Sequence, residues 1–298
     1  MRQAPDSATA CVGLARAWLN LATGWCRDPA VAREQAAEAL QRGLTLVPTQ
    51  PLAHVLLGAL QNQFQRDWPA AQRSFRRALA LAREAAFVHS AWGNHRLTRG
   101  ELANAEAALA RARQLDPHHI NTRMHRVNLR ITQGRLDDAT AEWAALADLA
   151  PQNMAVEGMS PLLALLRQDR AAMLLHYRRA AAVMPEHPAC HAHLAGALAL
   201  TGDLAAARET LAMVNRRFAG RVISPYVLAI VALRMGEPDR ALLALQRAAE
   251  VGDPNILQAP RDPSLAALHD DPRFVALAAT LPFRQSGGGA GPAPPRRR

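Results

Sequence analysis

A chain of 298 residues that is 50% hydrophobic has material for one large or two ordinary domains, and its 4% aromatic content with abundant alanine and leucine favours helices over strands. The formal charge of +10 is carried without a single lysine, and this arginine-only basic balance predicts some affinity for acidic protein segments, nucleic acid or anionic lipid. Cys11, Cys26 and Cys190 are too few and too irregular for a disulfide framework or a metal knuckle, the polar start Met1 to Asp6 lacks the order of a secretory signal, and no segment reaches the roughly 18 uncharged apolar residues of a membrane span, so a soluble, cytoplasmic protein is expected.

After a flexible stretch, 1–7, residues 8–48 read as a first helical unit with Ala36, Ala39 and Pro48, out of phase with the later units and carrying a longer turn at Cys26 to Pro29. From Pro51 to Asp253 the chain repeats every 34 residues. One lattice runs Ala71, Ala105, Ala139, Met173, Ala207, Ala241; a second, of large apolar residues, runs Phe75, Leu109, Trp143, Tyr177, Leu211, Leu245; a third runs Ala78, Ala112, Leu146, Ala180, Val214, Ala248. Gly100, Gly134, Gly202 and Gly236 share another lattice with Gln168 as the departure, and Pro117, Pro151 and Pro185 share one more. Glycine suits the left-handed turn that ends a helix and proline stops its continuation, so each unit is helix, tight turn, helix, stop.

The units are expected near 51–85, 86–119, 120–153, 154–187, 188–221 and 222–253. The unit from Met154 to Pro185 is degenerate, because Pro161 stands at a small-residue position and Met173 replaces the alanine; a kink or hinge is expected there. After Asp253, four prolines interrupt two short apolar stretches, and residues 254–283 read as a cap over the last unit's open face. Residues 284–298 are glycine, proline and arginine, a disordered basic tail ending in Arg296 to Arg298.

The pattern resembles the tetratricopeptide repeat (TPR), best in Phe87 to Pro117, with Trp92-Gly93 in the first helix, Ala105, Leu109 and Ala112 in the second and Pro117 at the close. The fold implied is all-α, a right-handed superhelical solenoid of antiparallel helix pairs with about seven repeats. Ser224-Pro225-Tyr226 with Ala229, Gly236, Ala241, Leu242 and Leu245, then Asp271-Pro272-Arg273-Phe274 with Leu277, is similar to the end of a bacterial TPR module found behind winged-helix regulators and adenylate cyclase or kinase domains. Asp67-Trp68-Pro69-Ala70-Ala71 with Phe75, Arg76, Arg77, Ala78 and Leu79 adds to it. This sequence begins inside the array, so the resemblance implies a partner-binding half whose output domain is absent or supplied by another protein.

No enzyme is expected. The sequence has no phosphate-binding GxxxxGK[ST] and no strand-borne GxGxxG, and Gly287 to Gly289 lie in the tail. His187, Cys190, His191 and His193 form the best metal candidate, but His187 precedes a proline in a turn and His193 points to another face than His191, so no metal and no cofactor is expected; His118-His119 is weaker still. Asp137-Asp138 and Asp270-Asp271 read as helix caps and dipole partners rather than catalytic carboxylates.

In TPR arrays the first helix of each unit lines the concave face. The resemblance therefore implies a partner-binding groove of Phe87, Ser90, Asn94 and Leu97, then Asn121, Met124, Asn128 and Ile131, then Tyr226 with Ile223, Ile230 and Leu233. Asn94 and Asn128 lie one repeat apart, and an amide both donates and accepts, which suits the backbone of an extended peptide. The chain departs from the carboxylate-clamp type, since Ala155 stands where a basic residue is needed. Arg96, Arg99, Arg123, Arg126 and Arg130 give this part a basic character and point to an acidic peptide. The expected function is a regulatory protein-interaction scaffold, with no membrane and no small-molecule substrate; the alternative is a transcription-regulatory or nucleic-acid-associated assembly acting through the basic surface.

Overall fold

The computed structural model describes residues 7–24, 27–150, 159–221 and 223–281. Among these there is no strand. The order is α1 (Ala8–Thr23), α2 (Pro29–Leu46), α3 (Pro51–Leu60), a π-helical turn (Gln61–Gln65), α4 (Trp68–Leu81), α5 (Ala86–Thr98), α6 (Leu102–Leu115), α7 (Ile120–Thr132) and α8 (Leu136–Leu149). It continues with α9 (Ser160–Leu166), α10 (Arg170–Val183), α11 (Pro188–Leu200), α12 (Leu204–Arg217), α13 (Pro225–Arg234) and α14 (Pro238–Glu250). Two 3-10 helices (Pro254–Arg261 and Pro263–Leu268) and α15 (Pro272–Thr280) close the chain.

The lattices account for the packing. Ala71, Ala105, Ala139, Met173, Ala207 and Ala241 are all fully buried where the second helix of a pair crosses the first. Small side chains there let the axes approach to about 8 Å. The large residue four positions on fills the remaining space: a Cβ built on Gly93 would lie 2.7 Å from Leu109 Cγ, and one on Gly58 would lie 2.9 Å from the Phe75 ring. Those glycines are there for close approach.

The glycine lattice is left-handed throughout, with φ of 75° at Gly100, 73° at Gly134, 94° at Gly202 and 79° at Gly236. Gln168 holds the same conformation at φ 62°, so the turn keeps its geometry where the residue changes. Arg66, which stands 34 residues before Gly100, is also left-handed at φ 55°. One position later, Asp67, Asp169 and Asp203 cap the second helices, each accepting from a backbone N–H at 2.9 to 3.0 Å.

The periodicity gives no sign of the π-helical turn. Glycine and large residue are 16 apart in Gly93–Leu109 but 17 apart in Gly58–Phe75, so the unit that starts at Pro51 holds one extra residue. A π turn is how a helix absorbs a single insertion. It restores the register by Arg66.

The expected kink at Pro161 takes another form: α9 starts at Ser160, so Pro161 sits in its first turn, where proline is tolerated. The stretch before it, 151–158, lies outside the described residues, as do the N-terminal residues 1–6, Cys26 of the expected long turn, Ala155 and the basic tail. The segment expected as a cap holds the two 3-10 helices and α15. Ile256, Ala259, Leu265, Leu268 and Phe274 are buried with Tyr226, Ile230, Leu242 and Leu245 of α13 and α14 in one apolar cluster.

Candidate functional site

Successive first helices pack on one another, with α5 against α7 and α11 against α13. This brings the groove positions of neighbouring units side by side, about 10 Å apart by ordinary helix packing. The expected groove residues do not share one environment. Asn94, Met124, Asn128, Phe87 and Ile131 are half-buried and Asn121 is exposed. Among the described residues neither the Asn94 nor the Asn128 side-chain amide has a hydrogen-bond partner, although both residues are half-buried. Phe87 and Ile131 lean on apolar clusters between units.

Four of the expected groove residues, Ser90, Leu97, Tyr226 and Ile230, are buried. Ser90 and Leu97 are buried, at 1% and 5% exposure. Tyr226 is buried beneath the cap, where its hydroxyl donates to Asp262 Oδ2 at 2.5 Å. Burial and the Asp262 carboxylate push the Tyr226 phenol well above its ordinary pKa. Below it, Asp253 is fully buried and accepts from Ser224 Oγ at 2.6 Å and from the Tyr226 backbone N–H at 3.2 Å. At this end the cap takes the place expected for a ligand. The first-helix periodicity alone carries no sign of that cover.

The arginines expected to attract an acidic ligand are mostly satisfied internally. Arg126, 7% exposed, makes a two-pronged ion pair with Glu142, both contacts at 2.9 Å. Arg130 grips Glu106 in the same fork, with Nη2 donating to Oε1 at 2.7 Å, and this holds the Glu106 carboxyl below its usual range. Arg96 and Arg99 converge on Glu101 at 2.5 and 2.7 Å. Burial opposes ionisation of Glu101, but the bonds from Arg99 and Arg96 outweigh it and keep the carboxyl low. Arg123 donates to the Pro117 carbonyl at 2.8 Å. Glu101, Glu106 and Glu142 are the partners a charge count overlooks.

The candidate metal histidines diverge. His191 pairs with the Pro185 carbonyl at 3.0 Å, His193 stacks on Tyr177 with ring centroids 5.2 Å apart, and His187 reaches the Gly24 carbonyl at 3.2 Å. Among the described residues no three His, Cys, Asp or Glu side chains are grouped to hold a metal. The acidic pairs are structural: Asp137 and Asp138 occupy the first turn of α8, and Asp271 caps α15 while pairing with Arg273 at 2.8 Å.

His95 lies behind Asn94, 1% exposed, with Nδ1 bonded to Asn62 Oδ1 at 2.9 Å and its ring tilted against Phe75 and Trp92. Burial, with Arg96 and Arg99 adding to it, lowers its pKa to about 4, so it is neutral at pH 7. Asn62 stands on the π-helical turn, which thereby fixes the back of α5.

These features define the class: an all-α solenoid of antiparallel helix pairs whose first helices line one face. No protein-family model matches the sequence, and no curated protein matches it. Among solved structures the chain is similar to a tetratricopeptide repeat protein from Parabacteroides merdae, at 16% identity and a TM-score of 0.54, with 91% of this chain and 98% of that one covered. It is also similar to PilW, a type IV pilus biogenesis factor, at 18% identity and a TM-score of 0.52, with 74% of this chain and 96% of that one covered. The fold is that of the TPR proteins. No described helix is long and apolar enough to cross a membrane.

Proposed function

We propose that the chain is a non-catalytic, regulatory scaffold that binds an extended peptide or protein segment across α5 and α7, in the cytoplasm. The observation that carries this reading is the pair of half-buried asparagines, Asn94 and Asn128, one repeat apart and without a side-chain hydrogen bond among the described residues. Neither amide is among the fully buried polar atoms that lack a partner, so water reaches both, and the backbone of an extended peptide can replace that water. A spacing of about 10 Å equals about three residues of extended chain at ~3.3 Å each, so both amides can address one peptide backbone. Half-buried Met124, one helical turn before Asn128, and exposed Asn121 offer apolar and polar contacts to its side chains.

The internal pairing of Arg96, Arg99, Arg126 and Arg130 leaves little of the charge that would select an acidic peptide, and it argues equally against a nucleic-acid stripe in these units. Recognition is therefore read as amide and apolar contact. The resemblance to modules that sit behind winged-helix or cyclase domains fits a scaffold whose output lies in another domain or another protein.

The test is capture of cross-linked partners with and without nuclease, followed by a salt wash. Defined proteins retained by the wild type and lost with Asn94→Ala/Asn128→Ala support the groove; retention that vanishes with nuclease contradicts it.

A further inference from the structure

Units far apart in sequence touch. Arg66 Nη2 donates to the Ala249 carbonyl at 3.3 Å, and Arg261 Nη1 donates to the Leu97 carbonyl at 2.7 Å with Nη2 reaching the Thr98 carbonyl at 3.4 Å. The two contacts are reciprocal. Arg66, in the N-terminal half, meets the last turn of α14; Arg261, in the cap, meets the last turn of α5. Carbonyls in the last turn of a helix lack intrahelical donors and carry the negative end of its dipole, so a guanidinium is a suitable cap.

Two further contacts join the first helices of the chain to later units. His187, ahead of α11, approaches the Gly24 carbonyl at the end of α1, and the Arg33 guanidinium of α2 lies 3.1 Å from where a Cβ would stand on Gly252. The first 3-10 helix also packs on the π-helical turn. A solenoid whose two ends touch is a closed ring.

Arg66 is the informative residue. Its position has glycine in four later units, and an arginine with φ 55° is strained where glycine is not. Gln168 holds the same conformation with an exposed side chain, and what sets Arg66 apart is its contact with the Ala249 carbonyl. The Arg66 Nε is buried without a partner, so the closure is incompletely satisfied. Burial lowers the Arg66 pKa, and it lowers that of Arg261 to about 10. The Leu97 and Thr98 carbonyls lie one helical turn beyond Asn94, at the end of the face assigned to the peptide.

We propose that residues 253–268 are an intramolecular ligand: the cap, held by the reciprocal arginines Arg66 and Arg261, closes the ring and covers the α5 end of the peptide-binding face until a partner displaces it. The covering consequence rests on the groove reading; the closure does not. A segment tethered to its site acts at an effective concentration in the millimolar range, so a free peptide of the same sequence competes poorly with it.

Two readouts separate closure from covering, both on the full chain. The first is the spin-label distance between Gln65→Cys and Leu243→Cys, both exposed, in a background with Cys26→Ser, where the buried Cys11 and Cys190 stay unlabelled. A single short distance is expected for the closed ring, and a longer, broader distribution for Arg66→Gly/Arg261→Ala. Arg66→Gly relieves the strained turn, so loss of the fold does not explain opening.

The second readout is binding of a fluorescent synthetic peptide of residues 253–268. About tenfold tighter binding to the opened variant than to the wild type is expected, and a peptide carrying Arg261→Ala should not bind. Unchanged distances overturn the latch. Opening without a gain in peptide binding overturns the covering role. The cap leaves both asparagine amides without a hydrogen bond to a described residue, so binding of this peptide should be unchanged by Asn94→Ala/Asn128→Ala, and a loss on those substitutions would overturn the placement of the cap at the Leu97 and Thr98 carbonyls.

Discussion

Replacing Gly93 by alanine sets two effects of known sign against each other. Gly93 is in the interior of α5, where alanine gains about 1 kcal/mol in helix propensity. The new Cβ would lie 2.7 Å from Leu109 Cγ and 2.8 Å from Cδ2, inside any acceptable contact, and 3.4 Å from the Leu109 backbone nitrogen. Leu109 has no exposed surface and is packed with Leu97, Ala105 and Leu129, so its rotamer has no free space to enter. Overpacking of this kind costs roughly 1–3 kcal/mol, and here both contacts fall on one fixed side chain, so the upper half of that range applies. The net is a loss of about 1–2 kcal/mol, read as a lower urea midpoint at unchanged slope. Leu109→Ala alone should lose about 2–5 kcal/mol through the cavity it leaves. In the double variant the Gly93→Ala penalty should vanish and its propensity gain return. A Gly93→Ala protein as stable as the wild type would refute the close crossing of α5 and α6, and with it the placement of Asn94 on the next residue.

Gln168→Gly should stabilise by about 1 kcal/mol in urea titration, because it relieves a left-handed non-glycine residue with exposed surroundings. Arg126→Met should cost about 3–5 kcal/mol by stranding Glu142, whereas Arg126→Met/Glu142→Leu should be near neutral, which a double-mutant cycle measures. His95 has a folded pKa of about 4, below its unfolded value of about 6.5, so its neutral form stabilises fully above pH 6.5 and that contribution is lost as pH falls toward 4. Stabilities from urea titration at pH 7 and pH 5 should differ by about 2 kcal/mol on this account, and His95→Gln should shrink the difference. Glu106 acts in a lower window: its contribution is present above the ordinary glutamate pKa and lost as pH falls through its depressed value, so Glu106→Gln should flatten the acid limb only below about pH 4.5.

The sequence displays whatever recurs every 34 residues. The alanines and large residues of the crossings and the left-handed turns are local consequences of a single paired-helix unit, so they can be read without knowing the neighbours. Of the proposed site, Asn94 and Asn128 follow from the period, while their half-buried state does not. The features that cannot be read are those that break the period. The π turn at Gln61–Gln65 hides in one extra residue between Gly58 and Phe75. The burial of Tyr226 depends on Asp262 and the cap, which belong to no repeat. The forks Arg126–Glu142 and Arg130–Glu106 join residues 16 and 24 apart on different helices, so a count of arginines mistakes paired charge for available charge. The contacts of Arg66 and Arg261 span 183 and 164 residues, and only the closure of the whole array brings them together.

Binding of an extended peptide across α5 and α7 through Asn94 and Asn128 is tested most directly by panning a displayed random-peptide library on the full chain and then mapping the bound peptides by hydrogen exchange. New protection on α5 and α7 is expected, with about tenfold weaker binding for each asparagine changed to alanine, the loss of one or two amide hydrogen bonds. Protection confined to α6 and α8, or binding that is indifferent to both substitutions and disappears with salt, would contradict it.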